Sequence, residues 1–130
     1  MRTFTLTVQP GLLAICRLPS AAPVPPVPPD AHPLHAVTRT ADELSIVCAE
    51  EDVPDGAIAD GGWRALTLAG PFDLTTEAGV LVAVLTPLAD AGVGIFAVST
   101  YDTDHVLVRA GSLEVAVGAL RGAGHEVVVG

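Results

Sequence analysis

The stretch IFAVSTYDTDHVLV, residues 95–108, decides how this chain is read. Two apolar cores, Ile95 to Val98 and Val106 to Val108, have the composition of paired strands. Between them stand seven residues that all carry polar atoms: Ser99, Thr100, Tyr101, Asp102, Thr103, Asp104 and His105. A two-residue loop suffices to join such strands. The surplus of hydroxyls and carboxylates raises the question of whether the strand ends merely turn or also bind.

Upstream, WRALTLAG (residues 63–70) alternates as a strand. From about Thr76 the positions Val80, Leu81, Val84, Leu85 and Leu88 share one helical face, Gly92 sits where a C-cap belongs, and Pro87 removes one donor from the helix ladder. The quoted stretch itself reads as strands over about 94–101 and 104–109. Downstream, Ser112 reads as an N-cap, Glu114 lies in the first turn, Leu113, Ala116, Val117 and Leu120 face inward, Arg121 lies in the last turn, and Gly124 terminates a second helix. HEVVV, residues 125–129, closes as a strand. The order strand, helix, strand, strand, helix, strand in about 70 residues is the split βαβ, ferredoxin-like unit.

The first half is strand-rich. Residues 3–8 alternate around Phe4, Leu6 and Val8, Gln9-Pro10-Gly11 reads as a turn, and residues 12–18 form a more buried strand. PSAAPVPPVPPDAHP, residues 19–33, holds seven of the eleven prolines. That density forbids helix and favours an extended polyproline loop, which serves as a stiff connector or as a docking ligand for an SH3-like partner. LHAVTRT (34–40) and LSIVCA (44–49) read as strands, with the capping-box spacing of Thr40-Ala41-Asp42-Glu43 predicting one helical turn between them. The acidic, Gly-rich residues 50–62 read as a connector, dividing the chain into halves 1–61 and 62–130.

A chain of 130 residues buries roughly 65% of its unfolded surface. With 50% apolar and 16% charged residues it is globular rather than disordered. The net charge is −9 and there is no lysine. No basic patch exists to neutralise phosphates or anionic headgroups, so neither nucleic acid nor a membrane surface is an expected partner. Cys16 and Cys48 lack metal spacing and read as buried, reduced thiols. The N-terminus alternates instead of forming an apolar block, and residues 79–99 are interrupted by Thr86, Pro87 and Asp90, so the expected location is cytoplasmic.

In a ferredoxin-like unit the start of the first helix and the end of the second strand lie in one corner. A helix N-terminus between Thr76 and Val80 directs free N–H groups there and favours an anion, and Gly79 permits close approach. Asp104 or Asp102 accepts from an ammonium group, with hydroxyls from Ser99, Thr100 and Tyr101. A carboxylate site beside an ammonium site suits a free amino acid. The same residues also read as a helix cap at Thr75 or Thr76 and a simple turn. A metal set of Asp102, Asp104, His105 and His125 is disfavoured because neighbouring strand residues point to opposite faces. No nucleophile motif occurs, so no catalytic group, metal or cofactor is expected.

Residues 63–108, WRALTLAGPFDLTTEAGVLVAVLTPLADAGVGIFAVSTYDTDHVLV, resemble the C-terminal ACT domain of a small tandem-ACT family, related to aspartate-kinase regulatory domains and to CASTOR-type cytosolic arginine sensors. With VTRTADELSIVC (37–48), the likeness covers most of the chain. It implies an α+β protein of two ACT-like halves of βαββαβ type, the N-terminal one degenerate and strand-rich. It implies a non-catalytic regulatory or sensing module that binds an amino acid where ACT units pair, and the exposed edges of two small open sheets predict a homodimer. Carried over by position, the ligand-facing residues are Gly79 and Val80 at the helix start and Thr100, Tyr101, Thr103 and Asp104 in the strand-end run, with Glu77 adjacent. Many ACT domains have Asp-x-Pro-Gly before the first helix; here Thr76-Glu77-Ala78-Gly79 has no proline. That departure leaves the ligand open, with a ligand-free dimerisation or scaffold protein as the alternative.

Overall fold

The computed structural model describes residues 2–73 and 78–130. The strands are β1 (Thr5–Val8), β2 (Leu13–Leu18), β3 (Ala36–Arg39), β4 (Leu44–Ala49), β5 (Ile58–Leu68), β6 (Ile95–Ser99), β7 (Asp104–Arg109) and β8 (Glu126–Val129). The helices are α1 (Val80–Asp90) and α2 (Leu113–Gly122). The chain is α+β, and it divides into two compact units: Gly11–Trp63, and Met1–Pro10 together with Arg64–Gly130.

In the C-terminal unit, β5, α1, β6, β7, α2 and β8 follow in the βαββαβ order read from the sequence. Strand β7 pairs with both β5 and β6. Strand β1 pairs antiparallel with β5, Leu6 opposite Leu68, and parallel with β8, Leu6 opposite Val127. The first strand of the chain therefore lies between the first and last strands of the unit. This differs from the sequence division after residue 61, which left residues 3–8 in the first half. Alternation reveals a strand with one buried face but not which sheet receives it. Leu6 and Val8 in fact share a core with Leu66, Leu68, Val106 and Val127, covered by Val84 and Leu88 of α1 and Leu120 of α2. Each fully buried side chain of this kind contributes about 1.5–3 kcal/mol.

Both helices stop as their glycines predict. Gly92 and Gly124 have φ of 74° and 97°. Gly92 N–H donates to Ala89 O and Val93 N–H to Leu88 O; Gly124 N–H donates to Arg121 O and His125 N–H to Leu120 O. These paired bonds satisfy the last carbonyls of each helix and are open to a residue in the left-handed region. The starts differ from expectation. Helix α1 begins at Val80 with Gly79 as N-cap, φ 77°, and the caps considered at Thr75 or Thr76 lie outside the described residues. Ser112 makes no side-chain cap bond: its backbone is already helical, φ −102° and ψ 0°, after a 3-10 turn over Ala110–Ser112. An N-cap works from extended backbone.

Pro87 sits inside α1 without ending it. Having no N–H, it leaves the Ala83 carbonyl without its donor in the helix. That oxygen lies 2.8 Å from His125 Nε2. The other ring nitrogen, Nδ1, accepts the Phe4 N–H at 3.0 Å. Because Nδ1 accepts, Nε2 carries the proton and donates to Ala83. His125 is thus a buried bridge between the segment entering β1 and α1.

The N-terminal unit pairs in the order β3-β4-β2 and then the first part of β5. Every pairing is antiparallel, with Cys16 and Val37 both opposite Ile46. Among its described residues there is no α-helix. Two expectations give way here. Thr40 Oγ1 accepts the N–H groups of Asp42 and Glu43 at 3.1 and 3.2 Å, the bonds of a cap, but they close a hairpin because β4 starts at Leu44. Residues 58–62 are not a connector but the opening of β5. Gly62 N–H donates to Glu50 Oε2 at 2.7 Å, and a Cβ on Gly61 would come within 2.6 Å of the same oxygen. Strand pairing has recruited the acidic stretch through its glycines.

Candidate functional site

The polar run of residues 99–105 resolves into strand ends around a tight turn. Ser99 and Asp104 are still cross-strand partners, the last pair of the β6–β7 ladder. Thr100 N–H donates to Thr103 O at 2.8 Å, leaving Tyr101 and Asp102 as the two loop residues. The surrounding side chains are engaged. Ser99 Oγ donates to Asp104 Oδ1. Thr100 Oγ1 donates to Thr103 O at 3.2 Å and accepts Thr103 N–H at 3.3 Å.

The turn is also pinned to the end of β5. Thr103 Oγ1 donates to Leu68 O at 2.8 Å, and Phe72 N–H donates to Asp102 O at 2.7 Å. A Cβ on Gly70 would lie 2.8 Å from Asp102 O, so only glycine admits this approach. Sequence reasoning treated Gly70 as the end of a strand, although the Gly-Pro dipeptide at 70–71 was an available turn signal. Next along β7, His105 Nδ1 lies 3.0 Å from Thr67 Oγ1. Burial pushes the His105 pKa down, opposed by the charge of Asp104.

Thr100, Tyr101, Thr103 and Asp104 are therefore brought together in one turn. Tyr101 is 84% exposed, while Thr103 and Asp104 are half-buried. Gly79 and Val80 belong to a different element, the start of α1. Gly79 is exposed and its carbonyl accepts Ala83 N–H at 3.1 Å; the Val80 side chain is in the core, leaving its backbone for any ligand. Glu77 lies outside the described residues. Of the residues weighed as metal ligands, His125 has both ring nitrogens committed to the backbone. Among the described residues, no cluster of three or more His, Cys, Asp or Glu is placed to hold a metal.

The cysteines match their reading as core thiols. Both are buried and unpaired. Burial, reinforced by the neighbouring Cys16, pushes the Cys48 thiol up to about 12, and burial also raises Cys16. Among the described residues no helix is long and apolar enough to cross a membrane.

An ACT-domain family model matches residues 58–122, half of the chain. A second family model, described as an N-terminal domain, matches residues 11–56. A crystal structure of a protein from Agrobacterium tumefaciens is 36% identical, with 100% of this chain and 96% of that one covered and a TM-score of 0.87. The human protein CASTOR3P is 32% identical over 85 residues, 56% of this chain and 52% of its own. The cattle cytosolic arginine sensor for mTORC1 subunit 1 is 27% identical over 95 residues, 65% of this chain and 29% of its own. The chain thus spans about half the length of the first curated relative and less than a third of the second. The matched span holds β5, α1, β6, β7 and α2 in their βαββα order, and the chain belongs to the ACT-domain family.

Proposed function

We propose that this ACT-domain chain is a non-catalytic regulatory or sensing module that binds a free amino acid, acting as a homodimer in the cytoplasm. The observation that carries the reading is Gly79. As an N-cap with no side chain, it offers no acceptor to the first N–H groups of α1, and a helix N-terminus left in this way favours a carboxylate. Asp104, oriented by Ser99, is the acidic group for the ligand's ammonium or guanidinium end. The ligand-facing set is Gly79 and Val80 through their backbone, Thr100, Tyr101, Thr103 and Asp104, with Glu77 beside them. Support also comes from the cattle relative, which is named as a cytosolic arginine sensor. Strands β6 and β8 bound the C-terminal unit's sheet, and such edges favour association of two copies. The reading requires no cofactor.

A second reading, a ligand-free dimerisation or scaffold protein, is favoured by the hydrogen bonds that Thr100, Thr103 and Asp104 already make within the turn. A thermal-shift screen with the twenty amino acids separates the two. A ligand at 100 times its dissociation constant adds about 2.7 kcal/mol to stability, whereas a flat screen rejects the sensor. With a ligand in hand, Asp104→Asn is expected to weaken binding by about 2–5 kcal/mol where the charge pair is desolvated. Equal affinity in calorimetric titration removes Asp104 from the site. Light scattering that finds only the 13.2 kDa species rejects the homodimer.

A further inference from the structure

Residues 24–29 repeat one triplet, Val24-Pro25-Pro26-Val27-Pro28-Pro29, and residues 23–28 run without turn or bend. Each proline fixes its own φ near the polyproline II value and pushes the residue before it towards the same region. Ala22, Val24, Pro25, Val27 and Pro28 all precede a proline. Exposure then repeats every third residue: Ala22, Pro25 and Pro28 are half-buried, while Pro23, Val24, Pro26, Val27 and Pro29 are exposed. A β-strand buries alternate residues; a repeat of three is that of a polyproline II helix lying on the protein along one of its edges.

The helix is anchored to β3 at its start and closed by a turn at its end. The Arg39 guanidinium, from β3, donates to Ser20 O and, at 2.7 Å, to Ala22 O. Ala22 packs against the core of the N-terminal unit. At the far end, Ala31 N–H donates to Pro28 O at 3.1 Å. Two ridges remain outward, one of Pro23, Pro26 and Pro29, the other of Val24 and Val27, which are 49% and 51% exposed.

We propose that this segment is a preformed polyproline II ligand that docks into the aromatic-lined groove of another protein. Adjacent ridges of such a helix are what these grooves read, and a segment already ordered loses less entropy on binding. A second copy of the chain is the less suited occupant. It has one tryptophan, one tyrosine and three phenylalanines, and of these Trp63 and Phe4 are buried in its own core. The segment's own ionisable groups are Asp30 and His32, and its unit sets eight carboxylates against Arg17 and Arg39, so the complementary groove has a rim of lysine or arginine. The surface lies wholly in the N-terminal unit and goes beyond the sensing role proposed for the other unit.

The test titrates the full chain into isotope-labelled SH3, WW and EVH1 modules, chosen to include grooves with basic and with acidic rims, and follows the groove resonances. Saturable shifts with a basic-rimmed module, reversed by that module's own proline-rich peptide, are expected. Combined Val24→Ser and Val27→Ser substitution, at exposed positions and without change of charge, should weaken binding about tenfold or more, as loss of central anchors does. Arg39→Gln should release the segment and bring affinity down to that of a free peptide of residues 19–33, with thermal melts confirming that both variants remain folded. Failure of every module to bind, preference for acidic rims, wild-type binding by the valine variant, or equal affinity of the Arg39→Gln variant and the intact chain would each overturn the proposal.

Discussion

Exchanging His125 for phenylalanine keeps a buried aromatic ring in the core and removes both of its polar contacts. Two backbone groups are then stranded, the Phe4 N–H and the Ala83 carbonyl. An unsatisfied buried group costs about 1–3 kcal/mol, so the substitution should cost about 2–6 kcal/mol in all. That is a large part of the roughly 5–15 kcal/mol by which a domain is stable. Pro87→Ala supplies the control. The introduced alanine has an N–H that reaches the Ala83 carbonyl from within α1, so His125→Phe in that background strands the Phe4 N–H alone. The second substitution should therefore be less costly after the first, with a coupling of about 1–3 kcal/mol. The unfolded-state entropy gained by losing a proline enters both arms of the cycle and cancels. Urea denaturation of the wild type, both single variants and the double variant yields the four free energies, provided the slopes agree. Additivity within about 0.5 kcal/mol would refute the view that His125 replaces the donor Pro87 lacks.

Gly70→Ala places a Cβ 2.8 Å from Asp102 O, and overpacking of this kind should lower stability by about 1–3 kcal/mol; an unchanged denaturation midpoint would mean the turn moves aside at no cost. Cys48, with its thiol pushed up to about 12 by burial, should resist iodoacetamide at pH 8 until urea unfolds the chain; equal labelling in native and denaturing buffer contradicts that. Burial holds the His105 pKa below its ordinary 6.5. The unfolded chain therefore takes up that proton first, and the contribution of neutral His105 is present above pH 6.5 and lost as pH falls below it. A His105→Gln variant should lose less stability than wild type between pH 7 and pH 5, and parallel stability curves would rule the effect out.

Local pattern was a reliable guide wherever one residue's own backbone decided the outcome. Gly92 and Gly124 end their helices because the left-handed conformation is nearly free for glycine. Alternation and helical spacing gave the element order from β5 to β8 for the same reason. Caps were less legible, since Thr40 and Ser112 carry the same chemistry and only the first uses it, in a hairpin. The choice depends on whether a strand or a helix follows and what already fixes the backbone. Long-range partners were not legible at all. His125 reads as a stray polar residue until Ala83, 42 positions away, is found without its donor. At the candidate site the turn residues were visible in composition, but their bonds to Leu68 and Phe72 depend on the pairing of β5 with β7.

The placement of β1 between β5 and β8 sets an order of events during synthesis. Phe4 and His125 are 121 residues apart, and at 5–20 residues per second the ribosome takes roughly 6–24 s to travel between them. From residue 49 onward the hairpins of β2, β3 and β4 have all their residues available, while β1 has no parallel neighbour to join until β8 is made. Once β5 has been made it covers one edge of β1, so nascent chains carry β1 with its other edge open until β8 emerges, and a chain truncated before β8 would leave that edge open for good. Such a product is a substrate for chaperones or for aggregation, whatever the state of the finished N-terminal unit.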